Sequence, residues 1–203
     1  MARISKEEQA RIREKTLVVA YEKFLEHGFE NVSTKDIAKT VGIAEGTLFN
    51  YFDSKVHLFL ESFAEHFTEA TIKPEYDIDL TSDLVDIIYN HLEKLTKILF
   101  RMPKRILTEL MIATIRFSKK RPEQMKKFIE LDFKYMADMK QFLDDLIVWG
   151  LLKEMDTQKQ SEIIYSIVLY EFIMYLYDNE VTKDTLMQNI KTKLTVLLQG
   201  YIK

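Results

Sequence analysis

The sequence predicts an all-α protein of about nine helices, and three observations carry that prediction. Hydrophobic residues recur at helical spacing along almost the whole chain. Five glycines and three prolines in 203 residues are too few for a turn-rich β fold. Two short helical segments hinged by a glycine lie between residues 33 and 59. With 47% hydrophobic and 12% aromatic residues, the chain can bury a sizeable core and is not a disordered tail.

Residues 1 to 72 form the first expected domain. In the segment STKDIAKTVGIAEGTLFNYFDSKVHLF, Ser33 or Thr34 can cap a helix with Asp36 in its first turn and Ile37, Ala38 and Val41 on its apolar face. Gly42 ends that helix because it can take the left-handed conformation of a sharp turn, and Ile43 can pin the turn to the core. The next helix is expected from Ala44 to Tyr51, with Leu48 and Phe52 packing inward. Asp53 and Ser54 break it. Ser54 then caps a helix that opens on Lys55 and runs to about Thr71.

This arrangement is that of a DNA-reading helix-turn-helix. The expected DNA-facing residues are Thr34, Lys35, Ala44, Glu45, Gly46, Thr47, Asn50, Tyr51 and Lys55. Gly46 lets backbone approach a duplex, and the Thr47 and Tyr51 hydroxyls can reach phosphates. Asn50 can pair with a base edge or a phosphate, Glu45 can accept from a cytosine amino group, and Lys55 can face a phosphate at a helix start. The bland alternative is a small helical hairpin whose polar positions are simply solvated.

Residues 73 to 203 form the second expected domain. Lys73 to Leu80, with Pro74 and several acids, is the linker. Thr81 is expected to cap a helix with the stripe Leu84, Ile88, Leu92, Leu95 and Leu99. Pro103 suits the first turn of the next, which carries Leu107, Leu110 and Met111 and stops near Lys119. Pro122 starts a long helix with Met125, Ile129, Met136, Met139, Leu143 and Leu146 inward and Gly150 near its end. Asp156 or Thr157 begins the penultimate helix. Thr182 caps the last, with the stripe Leu186, Ile190, Leu194, Leu197 and Tyr201.

The penultimate helix is apolar nearly all round: Ile163, Ile167, Tyr170 and Met174 share one face, Ile164, Val168 and Tyr175 the next, and Tyr165, Leu169, Phe172 and Leu176 a third. Such a helix needs cover on two sides. Either it runs through the centre of one subunit, or it forms with the last helix half of an intermolecular four-helix bundle, giving a homodimer.

Several function classes lose their footing in the composition. Cysteine is absent, which removes disulfides, thiolate nucleophiles and cysteine metal sites and is compatible with a reducing cytoplasm, the expected location. The start, MARISKEEQARIREK, is too charged for a signal peptide. Ile163 to Tyr177 is shorter than the roughly 20 residues that span a bilayer and carries Glu171 in its middle, so no membrane partner is expected. The histidines His27, His57, His66 and His91 have no metal-ligand spacing and the glycines never cluster into a phosphate loop, so neither an enzyme, a metal nor a cofactor is expected. Formal net charge is −3. Residues 1 to 60 balance as well, so duplex binding has to depend on where cations sit and its salt dependence should be mild. The same balance keeps a second function open, a helical protein-protein interaction module without DNA binding.

From about Leu17 to Phe59 the chain resembles the N-terminal domain of the TetR family of transcriptional regulators. The resemblance is carried by Leu17, Ala20, Phe24, His27-Gly28-Phe29, Ser33-Thr34-Lys35-Asp36-Ile37-Ala38, Val41-Gly42-Ile43, Gly46-Thr47-Leu48-Phe49, Tyr51-Phe52 and Ser54-Lys55. It implies a dimeric repressor on an approximately palindromic double-stranded DNA operator, released by a small effector bound in the larger C-terminal helical domain. Departures fall at Ala44, Glu45 and Phe49, where relatives often have a hydroxyl residue, a basic residue and a tyrosine. Val56 and His57 replace the acidic pair after the lysine, so the capping box is expected to be missing.

By the same resemblance the effector pocket lies within residues 81 to 178. Candidate lining residues are His91, Phe100, Met111, Phe133, Met136, Trp149, Tyr165, Phe172 and Tyr175, with the carboxylates Asp132 and Glu171. Each aromatic or methionine can equally be core filler. The effector is expected to be apolar, and cationic if Asp132 and Glu171 face a cavity.

Overall fold

A computed structural model describes residues 5–70, 82–119 and 126–202, and these are helical with short connections. The helices are α1 Lys6–His27, α2 Thr34–Val41, α3 Glu45–Leu48, α4 Lys55–Ala70, α5 Leu84–Thr96, α6 Lys104–Ser118, α7 Lys126–Val148, α8 Thr157–Tyr177 and α9 Lys183–Leu198. A 3-10 turn, Leu99–Arg101, follows α5. The all-α prediction with a helix-turn-helix near the N-terminus is met.

The described residues pack as two units, one of α1 to α4 with α6, the other of α5, most of α7, α8 and α9. The expected division at residue 72 placed α6 with the C-terminal helices, whereas its buried face packs against α4. Sequence order does not decide which neighbour receives an amphipathic helix.

The N-terminal unit is built on aromatic side chains. The Phe59 ring of α4 lies 5.0 Å from each of Phe24, Phe29 and Phe63, centroid to centroid. Such offset and edge-on contacts add to the area these rings bury. Arg13 of α1 donates to Glu61 of α4 at 2.6 Å, and Lys15 donates to the Val41 carbonyl at 2.9 Å, supplying a cation at the C-terminus of α2.

The C-terminal unit has its own core, in which Leu84, Ile88, Leu92 and Leu95 of α5 meet Met139, Phe142, Leu143 and Leu146 of α7 and Leu186, Ile190, Leu194 and Leu198 of α9. His91 is buried here with its ring stacked 3.9 Å from Phe142. Glu171 of α8, 2% exposed, is paired with Lys193 and accepts from Asn189 Nδ2 at 3.0 Å, both on α9. A lone antiparallel bridge joins Leu152 to Ile202.

Several local expectations need correction. Thr81 lies outside the described residues, and the cap of α5 is Asp83, whose side chain accepts from the Val85 N–H at 2.8 Å. Pro103 stands as the cap residue of α6, one position before its first turn. Pro122, Met125 and the linker 73–80 lie outside the described residues, and Ile129, expected inward, is 48% exposed. In α9 the fully buried residue of the last turn is Leu198, with Leu197 only half-buried. Elsewhere the caps fall where expected: Ser33, Asp156 and Thr182 each accept a backbone N–H in the following turn.

Candidate nucleic-acid interface

The segment from Ser33 to Lys55 is held by local chemistry. Ser33 Oγ accepts the Asp36 N–H at 3.0 Å and in turn donates to the Asp36 carboxylate, closing the start of α2. Gly42 has φ 89° and ψ 30°, a left-handed residue that lets both its own N–H and that of Ile43 reach the Ala38 carbonyl. The chain is thereby turned into α3 within three residues.

The helix expected from Ala44 to Tyr51 is shorter than that, with regular α-helix only at Glu45–Leu48. The chain then tightens, with Asn50 N–H bonded to Thr47 and Tyr51 N–H to Leu48, so residues 49–51 continue the coil as 3-10-like turns. Ala44 offers no side-chain cap, as its missing hydroxyl requires. Leu48 and Phe52 are both fully buried and anchor the segment from beneath.

The other side faces solvent. Thr34 and Lys35 at the start of α2, then Ala44, Glu45, Gly46, Thr47, Asn50 and Tyr51, are exposed or half-buried. Around Gly46 nothing stands within 4 Å of the place a Cβ would take, so the main chain is open there. Glu45 Oε1 accepts the Thr34 hydroxyl at 2.6 Å. The Lys55 ammonium lies 4.5 Å from the centre of the Phe29 ring and 3.4 Å from the Glu30 carbonyl oxygen, which fixes a cation beside this surface. Phe49, omitted from the expected DNA-facing set, is 44% exposed next to Asn50. No hydroxyl or charge marks it in the sequence.

The expected missing capping box of α4 is in part present. Ser54 Oγ accepts the His57 N–H at 3.1 Å, while His57 Nδ1 accepts the Asp53 N–H at 3.1 Å. The imidazole accepts from the residue before the cap, where the glutamate of a full capping box accepts from the cap residue itself. Its ring also faces Phe117 of α6 at 6.0 Å and 22°.

The residues expected to line an effector site do not come together as one set. Met111 belongs to the N-terminal unit, and the rest to the C-terminal unit. Phe133 and Trp149 are surface residues, 64% and 48% exposed. His91 is buried beside Phe142, and burial followed by the charge of Lys94 lowers its pKa to about 4. Glu171 is a paired helix-helix carboxylate, held by Lys193 and Asn189 as described above. Two separate contacts remain among them: Phe100 with Phe172 and Tyr175, at 6.0 and 6.3 Å, and Asp132 with the Tyr165 hydroxyl. Burial pushes the Asp132 carboxyl above its ordinary range against that hydrogen bond, and pushes Tyr165 up further. Asp132 as a residue is exposed, so water still reaches it and opposes the rise. Met136 is half-buried on the same helix as Asp132.

Comparison with known proteins joins this surface to a family. The family model for bacterial regulatory proteins of the tetR family matches residues 17–62, which contain the whole glycine-hinged segment. The chain is 45% identical over 51 residues to the proposed mycofactocin biosynthesis transcriptional regulator MftR of Mycobacterium tuberculosis, and 39% identical over 62 residues to the HTH-type transcriptional repressor KstR of Rhodococcus jostii. These matches take in 25% and 30% of this chain and span only 26% and 27% of the relatives' own lengths. Over the full fold, a crystal structure of a proposed TetR-family transcriptional regulator from Mesorhizobium loti superposes with a TM-score of 0.69 at 17% identity, covering 98% of this chain and 100% of that one. At that identity the likeness is one of fold.

Proposed function

We propose that this chain, a member of the tetR family of bacterial regulatory proteins through residues 17–62, is a DNA-binding transcriptional repressor that works as a homodimer and is released by a small effector. The observation that carries the reading is the solvent-facing row of exposed Asn50 with half-buried Thr47, Tyr51 and Lys55, mounted on the buried anchors Leu48 and Phe52 within the matched segment. Hydroxyls, an amide and one fixed ammonium are the groups that position a protein on a phosphate backbone and read its groove.

Dimerisation is supported by an exposed seam on α8. Ile163, Ser166, Tyr170, Ile173 and Tyr177 follow one another at alternating three- and four-residue steps and are all exposed. That spacing is the one with which helices pair side by side. Burying such a face twice over in a two-fold dimer with α9 removes it from water. Two copies then present two reading segments about 34 Å apart, one turn of duplex, to an operator of approximate inverted symmetry. An effector in the C-terminal unit, beside Phe100, Phe172, Tyr175, Asp132 and Tyr165, acts by binding better to a state whose two readers are wrongly spaced. Its aromatic and carboxyl surroundings favour an apolar molecule that can donate a hydrogen bond or carry positive charge. Among the described residues no helix is long and apolar enough to cross a membrane.

Alanine at both Tyr51 and Lys55 tests the docking. Binding to a duplex selected by the wild-type chain should weaken at least tenfold, and the salt dependence should fall by about one unit of slope per lysine lost. A thermal melt of the variant controls for the lost contact between Lys55 and Phe29. Sequence-specific binding that persists at wild-type strength would rule out this docking, whereas a wild-type chain that binds no duplex sequence-specifically would favour a protein-protein interaction module.

A further inference from the structure

We propose that Glu45 is the specificity-determining residue of the reading segment, its carboxylate selecting a cytosine amino group at one position of each half-site. This rests on the DNA-binding function proposed above. Glu45 opens α3 on the exposed side, and the Thr34 hydroxyl that bonds its Oε1 at 2.6 Å comes from the first residue of α2. The hydrogen bond ties together the first turns of the two helices of the motif. It also removes much of the rotamer freedom that a surface glutamate otherwise keeps, so the carboxylate is set before a duplex arrives. Glu45 itself is exposed, and the backbone of the neighbouring Gly46 is open, with nothing within 4 Å of the place a Cβ would take.

A carboxylate only accepts hydrogen bonds. In the major groove it meets acceptors on guanine, at O6 and N7, and on thymine, at O4, and is repelled by both. Adenine offers an amino group but sets the N7 acceptor beside it, against the second carboxylate oxygen. Cytosine offers the N4 amino group without that acceptor, and is the base that a preset carboxylate satisfies.

The placement has a cost everywhere else on DNA, because the charge faces phosphates. Residues 1 to 60 carry as many acids as bases, so no local excess of cations offsets it. Glu45 therefore weakens binding to arbitrary sequence and recovers that loss only over cytosine, which is how a repulsive element sharpens discrimination.

The test is selection from random duplexes by the full chain, followed by competition binding at one fixed salt concentration, for the wild type, Glu45→Ala, Glu45→Gln and Thr34→Val. The wild type should select C·G at one position of each half-site, and changing that pair should cost about tenfold in affinity. Glu45→Ala should lose the preference at that position alone while binding non-specific duplex more tightly. Glu45→Gln, which keeps the shape of the side chain, should move the preference to A·T, since an amide pairs with adenine N6 and N7. Thr34→Val should keep the preference for cytosine and weaken it. Identical selected sequences from wild type and Glu45→Ala, with binding intact, would overturn the assignment of Glu45 and leave the DNA-binding function standing. Failure of the wild type to select any sequence would overturn both.

Discussion

The carboxylate of Glu109, on α6, accepts the backbone N–H of Phe29 at 2.9 Å, joining residues 80 apart in the chain within the N-terminal unit. The partner lies in the turn after α1, where Gly28 has φ 83° and ψ 165°, a region essentially closed to residues with a Cβ. Arg105, one turn earlier on α6 and 3.7 Å from Glu109, lies against the same glycine, so that a Cβ there would overlap its guanidinium. The turn that carries Phe29, and with it the ring under Lys55, is thus held by α6.

Gly28→Ala should therefore destabilise the N-terminal unit by about 1–3 kcal/mol, chiefly through backbone strain, because the overlapping arginine is a flexible side chain that can move away. Glu109→Ala should cost about 1 kcal/mol by leaving the Phe29 N–H without its acceptor. Urea unfolding followed by far-ultraviolet circular dichroism reads both. Wild-type stability in both variants would mean that α6 does not fix this turn.

His91 makes stability depend on acid. Its pKa in the folded chain is about 4 against an ordinary 6.5, so between those values the unfolded chain binds a proton that the folded chain refuses. Stability contributed by the neutral, buried ring is complete above pH 6.5 and is lost as pH falls toward 4, by up to about 3 kcal/mol. His91→Leu should flatten the pH dependence of the unfolding free energy in that window. Carboxylates titrating elsewhere affect both proteins, so equal slopes would contradict this role of His91.

Charge on the α8 seam should separate subunits without unfolding them. Ile173 is 42% exposed and Tyr170 53% in a single chain, so glutamate at 173 leaves the subunit core intact and places two like charges across a two-fold interface. Light scattering at micromolar concentration should give a dimer for the wild type and a monomer for Ile173→Glu, with unchanged helicity. A wild-type monomer would remove the seam as an interface.

What could be read from the chain was what acts over a few residues. The Ser33 cap, the Gly42 turn, the inward pair Leu48 and Phe52 and the Thr182 cap all depend on neighbours within about a turn, and the residue types suffice. The contacts that residue types do not announce join distant segments. Lys193 and Asn189 meet Glu171 from 22 and 18 residues away, turning an expected ligand carboxylate into a helix-helix pair. Likewise α6 joined the N-terminal helices because Phe117, Arg105 and Glu109 find partners on α4 and in the turn after α1. At His57 the sequence shows only the absence of a capping carboxylate. The imidazole Nδ1 can accept a hydrogen bond as a carboxylate does, and residue class alone hides that equivalence.

Because the chain contains no cysteine, one thiol introduced by Thr40→Cys, exposed on α2 and outside the expected DNA-facing residues, can carry a spin label beside the reading segment without other substitutions. Pulsed electron resonance on the labelled protein bound to its selected duplex then reports whether two copies sit together and how far apart their readers are. A single label-to-label distance near one helical turn, about 34 Å, is the predicted result. Absence of any pair distance on DNA, or one incompatible with successive major grooves on the same face, would contradict the proposal that this chain grips its operator as a two-fold dimer through residues 34 to 55.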